Sequence, residues 1–147
     1  MSLYFEDFQV DQMFQSRGRT VTETDIVMFA GLSGDHIELH TNAELSKTEM
    51  FGQRIAHGTL ILAISTGLTA DLNLYNDTVI AFYGIDRLRF TKPTFIGDTV
   101  RLMKRVAATE KKDDKSGLIT FETKVMNQRD EVILVYNDKL LIKSRGE

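Results

Sequence analysis

All three histidines of the chain, His36, His40 and His57, lie between Gly31 and Gly58, and Asp35 sits beside the first two. Histidine titrates near neutral pH, and a neighbouring carboxylate can orient or charge it, so this grouping suits acid–base chemistry. Asp35 and His40 are five positions apart. On a regular helix they would diverge by roughly 140°, and on a strand they would face opposite sides. They converge on one substrate only from an irregular segment, which Gly34 permits; the alternative is a surface loop with scattered polar residues. His57-Gly58 stands where an apolar helix begins. The first turn of a helix offers unpaired N–H groups and positive potential to an anion or a developing oxyanion. Gly58, having no side chain, lets a carbonyl reach that N–H. His57 itself reads as a helix-start histidine held by local hydrogen bonds. His36 and His40 have the i, i+4 spacing of a zinc motif, but H-E-x-x-H places its glutamate second, whereas Glu38 is third. No metal is expected.

The elements that must position these groups follow from periodicity. Phe14 to Val21 reads as a short strand. Thr22 can cap a helix, with Asp25 three residues on, and Ile26, Phe29, Ala30 and Ser33 then mark one buried face of about three turns. Gly31 and Gly34 are expected to end it, and Asn42 to cap a short helix over Ala43–Lys47. Residues 57–75 differ: Leu60 to Ile64 is apolar all round and is followed by Leu68, Leu72 and Leu74, the pattern of a buried helix. From Thr78 the period changes to two. Strands are expected over Val79–Phe90, Thr99–Thr109, Ile119–Met126 and Glu131–Lys143, with breaks at 92–98, 111–117 and 127–130. The fold class is therefore α+β, an antiparallel sheet curved around one long buried helix, in a single domain over 1–147.

Composition narrows the class of partner. A net charge of −3 and a pI near 5.6 argue against a nucleic-acid binder. No apolar run approaches the roughly 18–20 residues of a membrane span, and no signal peptide is visible, so no membrane partner is expected. Zero cysteines fit a cytoplasmic location. Charge is uneven, however. Residues 1–73 carry 4 basic and 10 acidic side chains, a net −6, and residues 74–147 carry 14 and 11, a net +3. Arg87, Arg89, Lys92, Arg101, Lys104 and Arg105 are either solvated strand faces or candidates to hold a phosphorylated ligand.

The run Phe29-Ala-Gly-Leu-Ser-Gly-Asp-His-Ile-Glu-Leu-His40 resembles the MaoC-like family, the R-specific enoyl-CoA hydratases and related acyl dehydratases of the hotdog fold. The signature of that family is Phe or Tyr, a spacer, Ser-Gly-Asp, any residue, Asn-Pro, an aliphatic residue and His. The similarity continues through Phe51-Gly52, Ile55-Ala-His-Gly58, Leu88-Arg-Phe90 and Pro93 to Asp98. Asp35 and His40 would then be the catalytic pair, holding one water and exchanging protons with the β-hydroxyl and α-carbon of an acyl thioester. The Gly58 N–H would bind the thioester oxygen, His57 would stand on the substrate side, and Thr66 would replace a family serine near the acyl pocket. The resemblance implies no cofactor, a CoA or acyl-carrier-protein thioester as substrate, and a homodimer or a multiple of one. One departure stands out: the family's Asn-Pro is Ile37-Glu38 here, which removes a polar anchor for the water and the pair. The alternatives are a hotdog protein that binds acyl thioesters without turnover and a hotdog thioesterase; retention of both Asp35 and His40 favours the lyase.

Overall fold

Thr22 opens helix α1 (Glu23–Ser33) with a reciprocal cap: its hydroxyl accepts from the Asp25 N–H, and the Asp25 carboxylate accepts from the Thr22 N–H. Gly34 closes it at φ 78°, the left-handed turn that glycine adopts without strain. Gly31 lies inside the helix rather than at its end. The computed structural model describes residues 1–146, so position 147 of the expected domain falls outside it. Two four-residue helices follow, α2 (Glu38–Thr41) and α3 (Ala43–Ser46), the latter capped by the Asn42 side chain on the Leu45 N–H at 3.0 Å.

Helix α4 (Gly58–Asp71) is the central element. Leu60, Ile61, Ile64 and Leu68 are buried and pack with Val100, Leu102, Val125, Leu134 and Tyr136 of the sheet. Each such side chain contributes about 1.5–3 kcal/mol on leaving water. The helix is not enclosed on every side, because Thr59, Ala63, Thr66, Gly67 and Ala70 remain exposed.

The sheet contains β1 (Met13–Gln15), β2 (Arg19–Thr20), β3 (Val79–Phe90), β4 (Thr99–Lys111), β5 (Ser116–Met126) and β6 (Val132–Lys143). Its order is β1-β4-β5-β6-β3, all antiparallel, with β2 also on β4. This is the hotdog arrangement that the resemblance implies. The strand expected over Phe14–Val21 is two pieces, interrupted at Ser16–Gly18, where the Ser16 hydroxyl turns back to the Arg17 carbonyl at 2.8 Å. β3 pairs with β6 on one side only, so its other edge is open.

Lys104 is not a surface cation. Alternation along β4 turns Leu102, Lys104 and Val106 inward together, and Lys104 is fully buried. Its ammonium donates to Asp138 Oδ2 and, at 3.0 Å, to Thr123 Oγ1, which in turn donates to Asp138 Oδ1 at 2.7 Å. The Phe121 ring lies 4.5 Å from the ammonium. Burial pulls the Lys104 pKa below that of an ordinary lysine, and the Asp138 carboxylate opposes the fall. Removing one partner of such a pair leaves an uncompensated buried charge, which costs about 3–5 kcal/mol. Lys104→Met alone should therefore destabilise the chain by about that amount in urea unfolding, and adding Asp138→Leu should restore most of it. A double variant no more stable than the single one would show that the penalty comes from lost packing.

Candidate active site

The loop from Gly34 to Ile37 carries Asp35 between α1 and α2. Ser33 Oγ donates to the Phe29 carbonyl at 2.7 Å and accepts from the Asp35 N–H at 3.1 Å, which fixes the start of the loop. Asp35 Oδ1 accepts from the Ile37 N–H at 3.3 Å. His40 follows on α2, an element that the sequence pattern did not indicate, and it is 8% exposed. Its Nδ1 lies 2.7 Å from the Ile55 carbonyl oxygen. A carbonyl only accepts, so Nδ1 carries a proton, and in the neutral ring Nε2 is the acceptor.

His57 stands immediately before α4 and is 1% exposed. Its ring stacks on His40 with centroids 3.9 Å apart and packs against Phe29 at 4.9 Å. The hydrogen bond that holds it is not local: Nε2 donates to the Asp35 carbonyl, 22 residues away, at 2.9 Å. Its Nδ1 is buried and has no partner among the described residues. One histidine thus steadies both members of the expected pair. Ligand atoms of Asp35, His40 and His57 lie within 4.8 Å of one another. The two imidazole planes are stacked at 27°, though, and stacked rings do not aim their in-plane lone pairs at one ion.

Asp35, His40, His57 and Gly58 border one cleft of about 550 Å³, walled also by Phe51, Phe90 and Ile133. Gly58 opens α4, so the unpaired amides of the first turn face this region. A side chain at Gly58 would meet the Phe90 ring, the nearest carbon at 2.8 Å. Thr66 is exposed and borders a different cavity, and its hydroxyl is bonded to the Ala63 carbonyl at 2.6 Å. His36 is exposed and does not line the cleft. Of the six basic residues considered for a phosphate, Lys92 borders the cleft and pairs with Glu131. Arg101 is tied to Asp130, Arg105 to Asp11 and Glu122, and Arg87 and Arg89 are exposed on β3. Phe90 and Ile133 were not anticipated as cleft walls, since strand periodicity gives a face and not what lies opposite it.

Ile37 is 63% exposed at the N-cap of α2, where it makes no capping bond, and Glu38 occupies the first helical position. Asn-Pro at these positions is helix-start chemistry, a side-chain cap followed by a residue with preset φ. Glu38 substitutes in part: it places an acid in the first turn and accepts from Asn42 Nδ2 at 2.9 Å.

The MaoC like domain matches residues 7–129. The (R)-specific enoyl-CoA hydratase of Rhodospirillum rubrum is 33% identical over 145 residues, covering 97% of this chain and 94% of that protein. Protein MaoC of Klebsiella aerogenes is 39% identical over 99 residues, 67% of this chain but only 29% of that longer protein. The solved structure of a monoamine oxidase regulatory protein from Archaeoglobus fulgidus superposes with a TM-score of 0.90 at 41% identity, covering 97% of this chain and 95% of the other.

The open N-cap can be tested directly. Ile37→Asn should stabilise the chain by about 1 kcal/mol in thermal or urea unfolding, since a side-chain cap then reaches the α2 amides. An unchanged or lower midpoint would mean that Ile37 is held by contacts other than the helix start.

Proposed function

Because the chain belongs to the MaoC-like domain family, we propose that its cleft is that of an acyl-thioester hydro-lyase, interconverting 2-enoyl-CoA and (R)-3-hydroxyacyl-CoA. The observation that carries this reading is the contact of His40 Nδ1 with the Ile55 carbonyl. With Nδ1–H committed to Ile55, Nε2 is the ring nitrogen left to exchange a proton, and His40 shares the cleft with Asp35 at the mouth of a helix N-terminus. In hydration, a water held between Asp35 and His40 gives a proton to Nε2 as its oxygen bonds to the β-carbon. The imidazolium, countered by Asp35, returns that proton to the α-carbon. The enolate charge that develops on the thioester oxygen is met by the Gly58 N–H. Water is the only reagent added, so the step requires no cofactor.

The molecule is proposed to work as a homodimer. β3 leaves a row of backbone groups unpaired, and Ile80, Phe82, Tyr83 and Phe90 on it are 49–62% exposed. Beside them lies the open, small-residue face of α4. An edge of this kind is normally joined or covered, and pairing two β3 strands would do both. Light scattering at micromolar concentration should report a dimer or a multiple of one; a monomer would contradict this assembly.

Butenoyl-CoA is the direct substrate test. Loss of the conjugated-enoyl absorbance supports hydration, release of free thiol indicates a thioesterase, and binding with neither indicates a module without turnover. Asp35→Asn and His40→Gln should each lower kcat at least about a hundredfold, the range expected of general acid–base groups, or about 3 kcal/mol of barrier. Acyl-CoA affinity should change little, and the double variant should be only slightly slower than either single one. Near-normal turnover in either variant would refute the assignment of the pair.

A further inference from the structure

A second cavity, of about 340 Å³, lies farther along α4 from the cleft and shares no lining residue with it. Gly58 and Thr59 border the cleft, and Leu62, Thr66, Thr69 and Ala70 border the second cavity. At 100° per residue these positions form one stripe of the helix. β3 runs the same course, with Phe90 on the cleft and Ile85 and Phe82 on the second cavity. Leu62 and Ala70 lie about 6 and 18 Å along the axis from Gly58 at 1.5 Å per residue. A chain anchored at the Gly58 amide therefore enters this cavity after about 5 carbons and reaches its end after about 15, at ~1.2 Å per bond.

The walls are largely apolar, with Thr66, Thr69, Tyr75, Asn76, Tyr136 and Asp138 as the polar residues among them. Thr66 Oγ1 and Asn76 Nδ2 donate to the Ala63 and Ala70 carbonyls, whereas Tyr75 and Asp138 are buried groups that the acid–base chemistry does not use. Tyr75 is 8% exposed, with its ring 5.9 Å from Phe121, and among the described residues no hydrogen bond engages its hydroxyl. Burial, reinforced by the Asp138 charge, raises its pKa well above the ordinary tyrosine value, so it stays a donor. Asp138 accepts one bond on each oxygen, from Thr123 and Lys104, and a carboxylate oxygen has room for a second. Tyr136 also borders the cavity, but its hydroxyl is engaged by Ser65 at 2.8 Å.

These groups discriminate among chain ends. A methyl terminus would cover Tyr75 and leave its hydroxyl without a partner, at a cost of about 1–3 kcal/mol, while Asp138 keeps its bonds to Thr123 and Lys104. A carboxylate would add a second negative charge beside Asp138, whose own charge Lys104 already balances. A hydroxyl can accept from the Tyr75 O–H and donate to Asp138. We infer that this cavity receives the far end of the acyl chain, and that its preferred occupant carries a hydroxyl there, about 10 to 14 carbons from the thioester. The inference rests on the proposed function for one point only, the thioester carbonyl at Gly58.

Equilibrium binding of saturated thioesters tests it without any turnover. Calorimetry with the full chain should show 12-hydroxydodecanoyl-CoA bound at least about tenfold more tightly than dodecanoyl-CoA, and the ω-carboxylate analogue bound more weakly than both. Tyr75→Phe keeps the ring packing and should reduce the hydroxyl preference to within about threefold. Equal or weaker binding of the hydroxylated ligand, an undiminished preference in Tyr75→Phe, or no binding of any of the three would overturn the proposal. Hydration of butenoyl-CoA, whose short chain stops before the cavity, reports separately on the acid–base assignment, so the two readings fail independently.

Discussion

The stack of His57 on His40, together with the bond from His57 Nε2 to the Asp35 carbonyl, ties the start of α4 to the loop and helix in front of it. Every other feature of the cleft depends on that tie. Asp35 sits on a segment that begins with a left-handed glycine and has little secondary structure of its own. The four-residue α2 is too short to hold itself in water. With the imidazole in place, both are referenced to the central helix, whose large side chains pack on the sheet. The arrangement costs stability, since a buried Nδ1 without a partner forfeits about 1–3 kcal/mol. Such a sacrifice of local satisfaction is characteristic of functional sites.

The one-sided burial of α4 connects the cleft to the rest of the molecule. Its large side chains anchor it on the sheet, and its small ones leave an open groove against β3. Both cavities lie in that groove, the first under the helix N-terminus and the second along its flank. The open edge of β3 belongs to the same face, so assembly and the acyl path involve a common surface.

Charges divide by environment. Most ion pairs are exposed and contribute little, and they serve chiefly to fix loops. Lys92, Arg129 and Asn127 converge on Glu131, holding the β5–β6 turn beside the cleft and pulling the Glu131 carboxyl down to about 2. Because the folded value is depressed, this contribution is present above the unfolded value of 4.5 and fades as pH falls toward 2. The Lys104–Asp138 pair is the opposite case, a buried pair lying between two apolar clusters and bordering a cavity. A pair of apolar residues would fill the same space at lower cost, which gives its polarity significance for what the cavity binds.

Sequence alone specified most of what depends on local periodicity, although it ran β1 and β2 together and did not indicate α2. The extent of β3 was legible from alternation, the start of α1 from Thr22 and Asp25, the Asn42 cap from its side chain, and the dominance of α4 from its continuous apolar run. The motif around Asp35 and His40 was also legible, because those residue types are rarely grouped by chance. What remained for the tertiary structure were relations between distant segments. Only packing against Ile55 decides which nitrogen of His40 carries the proton, and only the approach of two segments 22 residues apart shows how His57 is held. Lys104 reads as a solvated strand cation or a phosphate holder, and nothing nearby in the chain supplies its counter-ion: Asp138 is 34 residues on, and a hydrogen bond of that span exists only once β4, β5 and β6 are laid side by side. The physical reason is general to this chain. Backbone pattern is a property of neighbours, whereas tautomer, ion pairing and cavity polarity are set by whatever the fold brings within about 3 Å.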